Sequence, residues 1–208
     1  MAFTMNPLPK LYAIVDPAWF SSTGELLEAA QELVGSGAAI VQYRNKAEDP
    51  QSVLRHAIEL RRRIGGRARL IMNDRADLCV AADFDGVHVG QDDLSPESVR
   101  EIVGRARIVG VSTHSPCQVL AAEETSADYI AIGPVFQTSS KAGPDPVVGL
   151  AGVRRARELT AKPLVAIGGI RRGNCRSVIE AGADSVAVIS DLAGRPAKSV
   201  EEFLRILG

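Results

Sequence analysis

At 208 residues the chain suits one domain with a large core, a size at which α/β barrels form a single unit. It is 46% hydrophobic but only 4% aromatic, the profile of a parallel sheet buried under helices on its outer face. A formal charge of −1 supplies no global field for nucleic acid or a membrane surface, and no apolar run approaches membrane-spanning length.

Read in order, the chain alternates strand with helix. Strands are expected at Leu11–Asp16, Ala39–Arg44, Leu70–Asn73, Gly86–Val89, Ile108–Ser112, Tyr129–Gly133, Leu164–Ile167 and Val186–Ile189. Helical patterns follow at Glu25–Gly35, Gln51–Ile64, Asp77–Ala82, Glu97–Val103, Gln118–Thr125, Leu150–Leu159, Asn174–Ala181 and Val200–Leu207. Eight such units are the count of a closed (β/α)8 TIM barrel, here a single domain over residues 1–208 with 1–10 as an N-terminal extension. A weak internal echo agrees: GSGAAIVQY, AADFDGVHVG, TSADYIAIG and EAGADSVAVIS each run from a helix end through small residues into an apolar strand. Arg61–Arg63 read as a solvated helix C-terminus. The longest irregular stretch, Pro134–Pro146, reads as a functional loop that folds over bound substrates.

Cys79, Cys117 and Cys175 are far apart and form no CxxC, which suits reduced thiols rather than a disulfide frame or a zinc site. The N-terminus MAFTMNPLPK lacks the basic start and apolar segment of a signal peptide, so a cytoplasmic location is expected. The sequence leaves a homo-oligomer open.

Barrel chemistry gathers at the C-terminal ends of the strands, and here nearly every such end is polar or glycine. Gln42, Arg44 and Lys46 alternate along the second strand and share a face, where a guanidinium and an ammonium suit a polyphosphate. Asn73 and Asp74 end the third strand and Asp93 follows the fourth. Two readings are open for these aspartates: helix N-caps, or a carboxylate pair that holds Mg²⁺ with the oxygens of a substrate diphosphate. Gly168 and Gly169 after strand seven and Ser190 after strand eight form a phosphate cup, with hydroxyls from Thr138 and Ser140 and an amine from Lys141 nearby. His88 reads as an interior residue, His56 as a helix residue, and His114 as a rim residue in a structural hydrogen bond. A diphosphate on one side and a monophosphate on the other suggest that two substrates are joined with loss of diphosphate.

The segments LYAIVD, QYRNK, MNDRADL, DGVHVGQDD, GVSTHS, YIAIGPVFQTSSK, VAIGGI and GADSVAVIS resemble, in that order, the thiamine-phosphate synthase family across nearly the whole chain. The resemblance implies condensation of a hydroxymethylpyrimidine diphosphate with a thiazole phosphate, giving thiamine phosphate and diphosphate. It implies that Gln42, Arg44, Lys46, Asn73, Ser112 and Lys141 bind the pyrimidine diphosphate. Asp74 and Asp93 would hold Mg²⁺, and Thr138, Ser140, Gly169, Ile189 and Ser190 would bind the thiazole phosphate. Tyr43 and Asn45 stand where the family often has Leu and Glu, and Ser140 replaces a common threonine. Asp191 stands where a small residue is usual, and a carboxylate there weakens phosphate binding unless it points away. The rivals are a thiazole tautomerase on the same fold and a non-catalytic barrel that binds thiamine precursors. The tautomerase would not need Gln42, Lys46, Asp74 and Asp93, and an intact Asp74–Asp93 pair with Lys141 argues against the non-catalytic barrel.

Overall fold

The computed structural model describes residues 8–47, 49–138 and 146–208. Among these, eight parallel strands close into a barrel in chain order. They are β1 (Leu11–Val15), β2 (Ile40–Tyr43), β3 (Arg69–Asn73), β4 (Gly86–Val89), β5 (Ile108–Thr113), β6 (Tyr129–Ile132), β7 (Leu164–Ile167) and β8 (Ser185–Val188). Around them lie α1 (Thr23–Gly35), α2 (Pro50–Ile64), α3 (Ala76–Ala81), α4 (Pro96–Val103), α5 (Pro116–Glu123), α6 (Gly149–Leu159), α7 (Cys175–Glu180), α8 (Ser190–Ala193) and α9 (Pro196–Leu207). None of the described helices is long and apolar enough to cross a membrane.

The two-residue period of the strands divides the core in two. Leu11, Ala13, Val15, Val41, Tyr43 and Leu70 face outward into the layer between strands and helices. Tyr12, Ile14, Ile40, Ile71, Ile108, Tyr129 and Val165 face inward and fill the barrel. Leu8 joins that inner cluster, so the end of the expected N-terminal extension belongs to the barrel core.

Several helices begin earlier than the apolar pattern suggested, because their starts are set by caps. Asp49, Ser95 and Ser115 accept hydrogen bonds from the first-turn N–H groups of α2, α4 and α5, each with proline in the first turn. Pro196 likewise opens α9 a turn ahead of Val200. The strand expected at Val186–Ile189 runs from Ser185 to Val188. Ile189 instead caps the four-residue helix α8, which the apolar pattern does not reveal.

The echo seen in the sequence has a physical basis at the N-terminal face of the barrel. Asp85, Asp128 and Asp184 precede β4, β6 and β8. Each accepts the N–H of a residue on the preceding strand (Leu70, Val109 and Leu164) at 2.7–2.8 Å. Each also gives its own N–H to that residue's carbonyl. An arginine from every second helix then neutralises the carboxylate: Arg61 on Asp85, Arg100 on Asp128 and Arg157 on Asp184, at 2.7–2.9 Å. The expected solvated cluster Arg61–Arg63 is therefore partly structural.

This device stitches strands to helices at the end of the barrel opposite the polar rim, so its loss should cost stability and not chemistry. Asp128→Ala removes the carboxylate partner of Arg100, leaving that guanidinium only backbone carbonyls, and leaves the Val109 N–H unpaired, a loss of about 2–3 kcal/mol. For a chain of this size that lowers Tm by about 4–12 °C. Thermal melts of the variant beside the parent check it, and an unchanged Tm would refute the structural role.

Candidate active site

The C-terminal ends of the strands open on a cavity of about 440 Å³, a volume suited to small substrates. Gln42, Arg44, Lys46, Asn73, Asp74, Asp93, Ser112, Thr138, Gly169, Ile189 and Ser190 all line it. Ser140 and Lys141 lie outside the described residues, as does most of the loop expected to fold over substrates.

Along β2 the alternation works as expected. Gln42 points inward and is buried, whereas Tyr43 is turned into the helix layer. There the Tyr43 hydroxyl meets His56 Nδ1 at 3.1 Å and accepts from Asn45 Nδ2 at 2.9 Å. Arg44 bonds to the buried carboxylate of Asp16 at the end of β1, which holds the guanidinium at the rim.

Asp74 and Asp93 are not helix caps. Arg75 occupies the cap position of α3 without a side-chain bond, and Ser95 caps α4. Asp74 sits in the left-handed region at φ 62°, in a tight turn where its N–H donates to the His88 carbonyl at 2.7 Å. Few side chains adopt that conformation, and such turns concentrate at functional sites. Asp93 accepts the Gly90 N–H at 2.8 Å, which folds the turn after β4 back on itself. Lys46, expected to face a polyphosphate, also partly neutralises this pair: its Nζ lies 3.0 Å from Asp74. Even so, burial raises the Asp74 pKa; Lys46 opposes the rise, and the neighbouring Asp93 carboxylate adds to it. The described residues contain no group of three or more His, Cys, Asp or Glu able to hold a metal.

Four strands away, β7 ends in Gly168 and Gly169, with φ of 100° and 63°. The loop after β6 runs against them: Val135 N–H donates to Ile167 O and Phe136 N–H to Gly168 O. Ser190 opens α8 beside this wall. Asp191 points away. It accepts three hydrogen bonds from Arg172, at 2.9–3.0 Å, and Glu202 binds the same guanidinium. The carboxylate expected to weaken phosphate binding is thus turned from the cavity and neutralised.

Two inward tyrosines, not singled out from the sequence, lie at the cavity floor. Gln42 Nε2 donates to Tyr12 Oη at 3.0 Å, and the Tyr12 and Tyr129 hydroxyls meet at 2.8 Å. Tyr129 Oη lies 2.9 Å from His88 Nδ1, and His88 Nε2 lies 2.8 Å from Ser112 Oγ. Burial pushes both phenols up and His88 down to about 4, so all three rings are neutral near pH 7. His88 is therefore the interior residue its place in the strand suggested. His114 packs at the rim, its Nδ1 2.6 Å from the Gly133 carbonyl.

A sequence profile described as thiamine monophosphate synthase matches residues 11–192. The chain belongs to the thiamine monophosphate synthase family. It is 56% identical to the thiamine-phosphate synthase of Koribacter versatilis over 203 residues, 96% of each chain. It is 38% identical to that of Methanosarcina barkeri over 179 residues, 86% of this chain and 81% of the other. Among solved structures, thiamine phosphate pyrophosphorylase from Pyrococcus furiosus superposes with a TM-score of 0.85 at 34% identity, covering 95% of both chains. Family membership makes the protein a transferase of thiamine biosynthesis.

Proposed function

We propose that the protein condenses 4-amino-2-methyl-5-hydroxymethylpyrimidine diphosphate with 4-methyl-5-(2-phosphooxyethyl)thiazole, releasing diphosphate and forming thiamine phosphate. One observation carries the reading: a single cavity joins a charged wall from β2–β4 to a glycine–serine wall from β7 and β8. Arg44, Lys46, Asp74 and Asp93 lie on the first and Gly169, Ile189 and Ser190 on the second, so two phosphorylated substrates can meet between them.

On the first wall Gln42, Asn73 and Ser112 suit the pyrimidine ring, and Arg44 and Lys46 suit its diphosphate. On the second, Gly169, Ile189 and Ser190 offer a small cup for the thiazole phosphate, with the Thr138 hydroxyl at its edge. Ser140 and Lys141 join the two sets on the resemblance alone. The C–O bond to the diphosphate breaks with its electron pair leaving on oxygen. The thiazole nitrogen then donates its pair to the pyrimidine methylene carbon. Cations of the first wall stabilise the charge that grows on the leaving group.

Asp74 and Asp93 are the residues that would hold Mg²⁺. Their chemistry fits: two hard oxygen donors lie together, one of them destabilised as an anion by burial and by the other. Bound Mg²⁺ would supply positive charge to the diphosphate, whose oxygens and water would complete its coordination. Three free cysteines, one of them exposed, favour a reducing, cytoplasmic setting.

The test mixes purified protein with both substrates and Mg²⁺ and follows thiamine phosphate by mass spectrometry. Product that vanishes with EDTA and returns with Mg²⁺ is the expected result. No product would overturn the reading, and double-bond migration in the carboxylated thiazole phosphate tautomer would then point to an isomerase.

A further inference from the structure

We propose that Asp191, acting through Arg172, is a positioning residue that clasps the loop after β7 to the segment after β8 and so sets the width of the monophosphate wall. The inference rests on the reading above, in which Gly169, Ile189 and Ser190 bind the thiazole phosphate.

That wall consists of two pieces which the sheet alone does not join. β7 and β8 pair as far as Ile167 and Ala187, and beyond those residues each chain leaves the sheet separately. The loop after β7 opens with Gly168 and Gly169, both at positive φ. Glycine restricts its own backbone least of all residues, so the shape of this loop has to come from bonds made elsewhere.

Those bonds are made by Asn174, Arg172 and Asp191, which lie outside the cavity lining. Asn174 Nδ2 donates to the Gly169 carbonyl at 3.1 Å, and Asn174 Oδ1 accepts the Arg171 N–H at 2.7 Å. Asp191 accepts the Arg172 N–H at 2.9 Å, and Arg172 Nε and Nη2 donate to its two oxygens at 3.0 and 2.9 Å. A guanidinium fork of this kind fixes direction as well as distance. Glu202 on α9 accepts from the remaining nitrogen, Nη1, and ties the same group to the helix layer. By contrast, the N–H groups of Gly169 and Ile170, two residues that line the cavity, have no acceptor among the described residues. Side chains thus take the N–H groups of Arg171 and Arg172 and leave those two for a ligand. Asp191 directly follows Ser190, so the clasp connects the serine side of the wall to the glycine side.

Charge and position give Asp191 effects of opposite sign. A carboxylate near a phosphate repels it, so if charge were the whole of its influence, removing Asp191 would tighten phosphate binding. As a clasp it does the reverse: without it the two pieces of the wall separate, and misplacing a substrate by about 1 Å costs on the order of 10²-fold.

The test compares wild type with Asp191→Ala, Asp191→Asn, Arg172→Ala and the Asp191→Ala/Arg172→Ala double variant. Each receives separate saturation curves for the two substrates and a calorimetric titration with the thiazole phosphate alone. Asp191→Ala should raise KM and Kd for the thiazole phosphate about tenfold, with kcat and KM for the pyrimidine diphosphate within about twofold of wild type. Asp191→Asn keeps an oxygen for the Arg172 N–H and should fall between the two. The double variant should bind no worse than Arg172→Ala, because both changes remove one link. Unchanged or tighter thiazole phosphate binding by a folded Asp191→Ala overturns the proposal. So does an equal rise in both KM values, or additive losses in the double variant. If Asp191→Ala does not melt cooperatively, Asp191→Asn is held to the same criteria. A wild type that neither binds the thiazole phosphate nor forms product would instead overturn the functional reading beneath the inference.

Discussion

Asp74→Asn and Asp93→Asn should each lower kcat by roughly 10³-fold at saturating substrates and Mg²⁺, while the barrel melts normally. Asparagine is the informative replacement at both positions. At Asp74 the backbone holds φ 62°, which asparagine tolerates and alanine resists, so the amide removes charge without disturbing the turn. At Asp93 the amide oxygen can still accept the Gly90 N–H that the carboxylate now accepts. Charge stabilisation of a leaving diphosphate by a divalent cation is worth several kcal/mol, and each 1.36 kcal/mol is about tenfold in rate. If both carboxylates hold one ion, the double variant should be scarcely worse than either single one, because groups acting as a unit are not additive. Steady-state formation of thiamine phosphate across a Mg²⁺ titration checks all three proteins. Full activity in either single variant would remove that residue from the metal site.

Much of the barrel can be read from the chain because buried parallel strands leave a plain pattern: β-branched runs, each broken by a polar or glycine end. What escapes the sequence is which neighbours those ends acquire. Asp74 and Asp93 were open to a capping reading because Ser95 and Pro96 follow so closely, and only the turn geometry shows that neither caps a helix. The pairing of Lys46 with Asp74 joins β2 to β3 and depends on their register. Asp191 could have opposed the phosphate cup; its direction is decided by Arg172, 19 residues earlier, through three hydrogen bonds. Tyr12 and Tyr129 were hidden among ordinary core positions, since their hydroxyls meet across 117 residues only when the barrel closes. A signal for them did exist in Gly110, a lone glycine inside an apolar strand, which marks close approach of another group. The internal echo shows the same limit: its aspartates before β4, β6 and β8 are visible in the repeat, but their arginine partners lie 24, 28 and 27 residues away.

Gly169→Ala should raise KM for the thiazole phosphate at least about tenfold and leave KM for the pyrimidine diphosphate nearly unchanged. Two independent constraints make glycine necessary there. Its φ of 63° costs an alanine about 1 kcal/mol. A Cβ would also lie 2.5 Å from the Gln137 carbonyl oxygen and 2.8 Å from Phe136 Cβ, so the loop after β6 must retreat. That loop carries Thr138, which lines the cavity, and it is tied to β7 by the Phe136 N–H to Gly168 O bond. Its displacement would open the wall assigned to the monophosphate, while Gln42, Arg44 and Asn73 on the far side keep their supports. Misplacement of a substrate by about 1 Å is enough for losses of this size or larger. Gly173→Ala serves as the control, because it lies on the same side of the barrel with ordinary φ and open space around its missing Cβ. Separate saturation curves for the two substrates in both variants decide the matter: equal thiazole phosphate KM values would show that the close packing at Gly169 supports the fold and not the phosphate cup.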